Sequence, residues 1–235
     1  MYLLLLVNVS VRVNHLQWGS LCVILKPTMG LLSLLFRDPA AFVLLIIPLL
    51  YSVIIHEVAH GWVASKMGDQ TAKWLGRLTL NPRKHLDPLG TIMLFIAGFG
   101  WAKPVPVNYN NLRDPRRGLV FVSAAGIVAN ILLAFLSLFS LRLLHLAPFG
   151  AVTTMLFYMA RINIMLAAFN LIPIPPLDGS KIVMGFASRQ FQYSLARLEP
   201  YGFFIIIGLL WLGFLDPVIN FLESVILHLL SLVIP

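Results

Sequence analysis

The sequence predicts an all-α, polytopic membrane protein with about five to six membrane segments, one of them short or re-entrant. Three observations carry that expectation. Of 235 residues, 59% are hydrophobic and 11% charged, whereas soluble domains run near a quarter charged. Mean hydropathy is +0.89, and apolar stretches recur along the whole chain. Nine acidic residues cannot solvate a water-soluble surface of this size. Together these exclude a cytosolic globular enzyme and a disordered chain. The one cysteine, Cys22, excludes a disulfide scaffold and a cysteine-ligated metal cluster.

Residues 1–28 read as a leader of uncertain status. Met1–Val7 is apolar, but Asn8, Arg12, Asn14 and His15 interrupt it, and no small-residue cleavage site follows. A cleaner pattern begins at Met29, so 29–235 is taken as a single membrane-embedded domain. A spanning helix needs about 20 apolar residues. Ala40–Ser65, Leu119–Leu146, Gly150–Ile172 and Tyr201–Leu215 are the candidates, with a final apolar run from Val218 to Ile234. Leu89–Ala102 is apolar but short and glycine-bearing, which fits a re-entrant element. The clusters Lys103-Pro104-Val105-Pro106 and Pro173-Ile174-Pro175-Pro176 cannot be helix interior, because proline lacks the N–H and clashes with the preceding turn. Thr71–Leu80 alternates enough to permit a small strand at the membrane surface, whose edge could pair with an extended substrate.

Charge orients the chain. If Leu89–Ala102 dips in and returns, twelve of the 17 basic residues lie on one side, in 66–88, 103–118 and 174–200, against Arg37 and Arg142 on the other. The positive-inside rule then turns the twelve toward the cytoplasm. The net charge of +8 therefore reports topology. A nucleic-acid binder is disfavoured, since these residues sit in topogenic loops and form no single patch.

Within the first span stands His56-Glu57-Val58-Ala59-His60. Positions four apart share a helix face, so both imidazoles can reach one metal ion, with Glu57 one step round. Among six histidines, chance supplies this pattern on the order of 0.002 times per chain. Glu57 also reads as the one acidic residue of the proposed membrane helices, where a charge costs about 2.5–3.5 kcal/mol. Two histidines with water and a carboxylate base suit zinc. The missing ligand is best supplied by Asp178, because the helix Gly150–Ile172 returns to the side where His60 lies. A helix-cap aspartate is the plain alternative.

These two stretches together resemble the site-2 protease family of intramembrane zinc metalloproteases. Its second motif, Asn-x-x-Pro-x-Pro-x-Leu-Asp-Gly, is met at every fixed position by Asn170, Pro173, Pro175, Leu177, Asp178 and Gly179. Gly126-Ile127-Val128-Ala129-Asn130 is similar to the family's Gly-x-x-x-Asn element, and Trp101–Asn108 to a stretch of its compact bacterial members. The resemblance covers about Met29 to Leu215. It implies one zinc ion, Zn2+, held by His56, His60 and Asp178, with Glu57 as general base and acid. It further implies that Asn130 contacts substrate or the developing oxyanion, and that Asn170 binds substrate or orients the aspartate loop. The expected reaction is cleavage of a peptide bond in or near a transmembrane segment of a single-span substrate, such as an anti-sigma factor or membrane-tethered regulator. The expected site is the cytoplasmic membrane, multi-pass, with the active site toward the cytoplasm. No room exists for an inserted PDZ-like or CBS module.

The competing class is a metal-binding transporter or a catalytically silent scaffold, and intact Glu57 argues against it, since a carrier needs no general base. Of the remaining polar residues, Arg161 and Asn163 fall mid-span, where they line a water path or bond locally. His85 and Asp87 read as a surface pair at the mouth of the re-entrant run. Trp74, Trp101 and Trp211 read as interfacial anchors.

Overall fold

The computed structural model describes residues 4–5, 31–148 and 150–234, so the leader, apart from Leu4–Leu5, lies outside the described residues. A short helix, α1 (Leu31–Arg37), leads into α2 (Pro39–Lys66). Asp38 starts α2 by accepting from Ala41 N at 2.9 Å, with Pro39 at the first position, where its missing N–H costs nothing. Pro48 sits inside α2, and Ser52 Oγ donates to its carbonyl at 2.6 Å. Twenty-eight residues make a rod of about 42 Å, more than the hydrocarbon thickness.

The two other central helices are α5 (Pro115–Leu143) and α6 (Ala151–Leu171). Asp114 caps α5, accepting from Arg116 N and Arg117 N at 3.1 Å. Helix α6 stops where Pro173 forbids continuation. Together α2, α5 and α6 pack as a three-helix centre through Leu49, Val53, Ile162 and Leu166 on one side and Ile127, Ala134, Ile164 and Ala168 on another.

The short apolar segment returns to its starting side. Helix α4 (Pro88–Ala97) is capped by Asp87 and ends at Gly98, whose φ of 73° turns the chain back. Lys103 N then donates to His85 O at 2.8 Å, and Leu86 bridges Ala102. Entry and exit are therefore side by side. The three basic stretches also meet at one end of the molecule: Arg113 N donates to Met67 O at 3.0 Å, and Arg116 reaches the carbonyls of Gly185, Phe186 and Ala187.

Beyond α7 (Asp178–Phe186) come α8 (Arg189–Leu198), a single tight turn over Glu199–Tyr201, α9 (Gly202–Trp211) and α10 (Asp216–Val233). Among the described residues, five helices are long and apolar enough to cross a membrane: Pro39–Lys66, Pro115–Leu143, Ala151–Leu171, the joined Arg189–Trp211, and Asp216–Val233. The molecule is a helical, multi-pass membrane protein.

Three expectations are corrected. The strand expected over Thr71–Leu80 is absent: Thr71–Trp74 is one helical turn, α3, begun by Asp69 accepting from Thr71 N, and Gly76 at φ 62° ends the run. The only extended pairings among the described residues are Leu4–Leu5 with Phe99–Gly100 and the Leu86–Ala102 bridge. The fourth span begins at Arg189 rather than Tyr201, because α8 runs through the Glu199–Tyr201 turn into α9. Glu57 is not the only acidic residue in a span. Glu223, in the middle of α10, is buried and pairs with Arg161 of α6 at 2.9 Å. That pair is the local partner Arg161 requires.

Candidate metal centre

Helix α2 places His56 and His60 on the face packed against α5, and both rings are buried. Their Nε2 atoms lie 3.0 Å apart. Asp178 Oδ2 stands 3.2 Å from His56 Nε2 and 3.1 Å from His60 Nε2. These three atoms form a near-equilateral triangle. Zinc bonds of about 2.0–2.1 Å in a tetrahedron set ligand atoms roughly 3.3 Å apart, so the triangle is the open base of such a site with small adjustment. Two imidazoles and a carboxylate are the donor set of a catalytic zinc, which keeps a further position for water. Among the described residues this is the one group of at least three His, Cys, Asp or Glu that could hold a metal.

Asp178 arrives there through the motif that precedes it. After α6 stops, Leu177 N donates to Ile174 O at 2.9 Å and Ser180 N to Leu177 O at 3.1 Å, which starts α7 at Asp178 itself. Gly179 packs so closely that a Cβ would stand 2.3 Å from Leu171 O. No other residue fits behind the aspartate. The far end of α7 is tied down by Arg116, donating to Gly185 O at 2.7 Å and to Ala187 O at 2.7 Å. Asp178 therefore sits on a short helix fixed at both ends.

Helix α5 forms the opposite wall. His60 Nδ1 lies 2.6 Å from Val122 O, so its Nδ1–H donates there and Nε2 keeps its lone pair for the metal. A Cβ on Gly126 would meet His56 Cε1 and His60 Nε2 at 2.5 Å. The glycine is the space into which the histidine pair fits.

Glu57 is 1% exposed. Its Oε2 accepts from Val105 N at 2.9 Å, while Oε1 has no hydrogen-bond partner among the described residues. One oxygen is thus fixed and the other is open. The loop that supplies Val105 is held by Arg77, whose guanidinium donates to Lys103 O at 2.9 Å and Pro104 O at 3.1 Å. Sequence reasoning missed both: Arg77 was one of twelve loop cations, and a backbone N–H leaves no sequence signal.

The other expected residues divide. Asn130 is fully buried, with its amide 3.1 Å from His56 Nδ1, so it enters the centre beside His56. Asn170 donates to Leu166 O at 2.9 Å, one turn back on α6. His85 is no surface pair with Asp87. It is 1% exposed and its Nε2–H donates to Thr79 O at 2.7 Å, while Asp87 caps α4. Burial, with the Arg77 charge, holds the His85 imidazole below its ordinary value despite that bond. Asp69, also buried, anchors the same loop system by accepting from Asn108 N at 2.7 Å and Asn111 Nδ2 at 3.0 Å. Burial would raise its carboxyl, but these bonds and those from Thr71 hold it below the usual carboxylate range.

Comparison with known proteins agrees with this centre. The profile of peptidase family M50 matches residues 44–149 and 144–212. The Bacillus subtilis protein named "Putative zinc metalloprotease YwhC" is 45% identical over 172 residues, 70% of this chain and 78% of that protein. From Mycobacterium tuberculosis H37Rv, "Putative zinc metalloprotease Rip2" is 35% identical over 185 residues, 76% of this chain and 69% of its own. "Zinc metalloprotease MJ0392" of Methanocaldococcus jannaschii is 22% identical over 193 residues, 82% of this chain and 42% of its own. No solved structure matches this chain.

Proposed function

This chain belongs to peptidase family M50, the site-2 protease family, and is a zinc metalloprotease; from that premise we propose that it cleaves a peptide bond in or near a transmembrane segment of another membrane protein. The observation that carries the reading is depth. His60 and His56 stand six and ten residues before the end of α2 at Lys66, about 9 and 15 Å below it along the axis. A hydrolytic centre about two to three turns inside a spanning helix favours a scissile bond in or near the bilayer. A substrate helix hides its carbonyls in hydrogen bonds, so it must unwind before attack.

His56, His60 and Asp178 would hold the zinc ion, which would supply Lewis acidity toward water and the scissile carbonyl. The protein's own groups do the rest. Val105 N–H holds Glu57 Oε2, which leaves Oε1 to take the proton from the attacking water and pass it to the leaving amine. Val122 O keeps the His60 ring turned inward. The apolar packing of α2, α5 and α6 excludes lipid and bulk water from the centre.

The substrate is a single-span membrane protein, of the anti-sigma factor or membrane-tethered regulator kind, cut in regulated intramembrane proteolysis. The cell membrane is the setting, and the end bearing the three basic stretches faces the cytoplasm by the positive-inside rule, which places the metal centre toward that side. The test is cleavage of a labelled single-span substrate in detergent or liposomes. Native protein cuts in a zinc-dependent manner. Glu57→Gln is expected to keep its zinc and lose about 10²–10⁴-fold in rate. Zinc-loaded native protein that leaves a broad substrate panel intact would support a non-hydrolytic carrier or scaffold.

A further inference from the structure

The two zinc histidines meet α5 in the same way but with different partners. Helices α2 and α5 run antiparallel, so His60 faces Val122 and His56 faces Asn130, with Gly126 between. The main-chain carbonyl of Val122 receives His60 Nδ1–H. Asn130 stands at the equivalent place for His56. It is 0% exposed, its Nδ2 lies 3.1 Å from His56 Nδ1, and its Oδ1 has no partner among the described residues.

Chemistry selects the orientation of that amide. A histidine that gives Nε2 to zinc carries its proton on Nδ1. An amide N–H facing that proton sets two donors against each other and leaves a buried carbonyl unpaired among the described residues, both of which are unfavourable. A half-turn about χ2 keeps the same shape and exchanges the two ends of the amide. Both problems then vanish: Oδ1 accepts from His56 Nδ1–H.

We propose that Asn130 is a positioning residue of the zinc site, acting through His56, and that α5 thereby fixes the tautomer and ring angle of both histidine ligands. The role expected from family resemblance is different, since an oxyanion contact needs the amide N–H and would act on substrate directly. An Asn130 turned to His56 spends its carbonyl on the ligand. The inference rests on the zinc centre and not on which substrate is cut, so zinc affinity tests it even if no cleavage is found.

The experiment uses the full chain in detergent and measures zinc affinity by competition with a chromophoric chelator, alongside the visible spectrum of the cobalt-substituted protein and cleavage of the single-span substrate. Asn130→Ala is expected to weaken zinc about 10–100-fold and to shift the cobalt spectrum, at unchanged helix content. Asn130→Asp keeps the acceptor and is expected to hold zinc within about 3-fold of native, with cleavage within roughly tenfold. Native zinc affinity and spectrum in Asn130→Ala, with cleavage lost, would overturn the proposal in favour of a substrate contact. Should Asn130→Ala fail to fold, Asn130→Asp decides, because it lacks the N–H an oxyanion requires. Zinc retained with cleavage abolished in that variant is equally fatal.

Discussion

Gly126 lies where α5 crosses the histidine pair, and a single methyl there meets two ring atoms at 2.5 Å. Neither ring can retreat, because Val122 O and Asn130 hold their far nitrogens. Gly126→Ala is therefore expected to spread the triangle of ligand atoms and to cost about 1–3 kcal/mol of overpacking. Metal analysis of the purified variant should show zinc well below one per chain. Gly208→Ala is the control: it also adds a methyl to a membrane helix, but among the described residues nothing beyond its chain neighbours and its own helix backbone lies within 4 Å of that methyl, so zinc content stays native and the melting temperature holds or rises. A Gly126→Ala protein with full zinc would show that the backbone yields there. Two members of the group that could hold a metal were legible in the sequence, because four-residue spacing on a helix is geometry in itself. Asp178 needed the proline stop before it. The partners of the ligands were not legible, since Val122 and Val105 act through backbone atoms that carry no residue signature.

At the scale of elements, the re-entrant unit and the loop after it control how Glu57 is held. The loop donates Val105 N–H to Glu57 and is tied to the base of α4 by Lys103 N on His85 O. His85 itself donates Nε2–H to Thr79 O, and its Nδ1 is buried without a hydrogen-bond partner among the described residues. Protonating Nδ1 would bury an unpaired N–H. The folded value is accordingly below the ordinary 6.5. The neutral form thus contributes stability that is complete above the unfolded value and is lost as pH falls below it toward the folded one. Relative to the intrinsic exchange rate at each pH, protection of the Lys103, Val105 and Val107 amides is expected to fall as pH drops from about 7.5 to about 5.5 in the native chain. In His85→Gln that pH dependence should disappear, and equal steepening in both proteins would rule out this histidine as the cause. The sequence showed that Leu89–Ala102 is too short to cross. It concealed the absence of a strand at Thr71–Leu80, because partial alternation says nothing of Asp69 starting a helical turn or of Gly76 reversing the chain.

Across the whole molecule, the centre works only if α2, α5 and α6 hold their depth, and α10 is joined to that core by an ion pair in apolar surroundings. Arg161 on α6 and Glu223 on α10 meet at 2.9 Å, with Glu223 fully buried. Around the pair, α10 contributes Ile219, Ile226 and Leu230 to apolar clusters shared with α6. Those clusters supply attraction without register, since leucine and isoleucine pack tolerably after sliding by a turn. The ion pair supplies register, because a one-turn shift of about 5.4 Å pulls Arg161 and Glu223 apart within apolar surroundings. Removing Arg161 leaves Glu223 buried and uncompensated, at a cost of about 3–5 kcal/mol, whereas removing Glu223 leaves a partly exposed Arg161 and costs less. Arg161→Leu and Glu223→Leu are each expected to lower the thermal midpoint in detergent and the yield of folded protein. The double variant should recover most of the loss, since a matched apolar pair is often neutral or stabilising. Zinc content should follow folding in all three, as neither residue lies among the ligands or their partners. Additive losses in the double variant would mean that each residue has a separate partner and that α10 is placed by its apolar face alone.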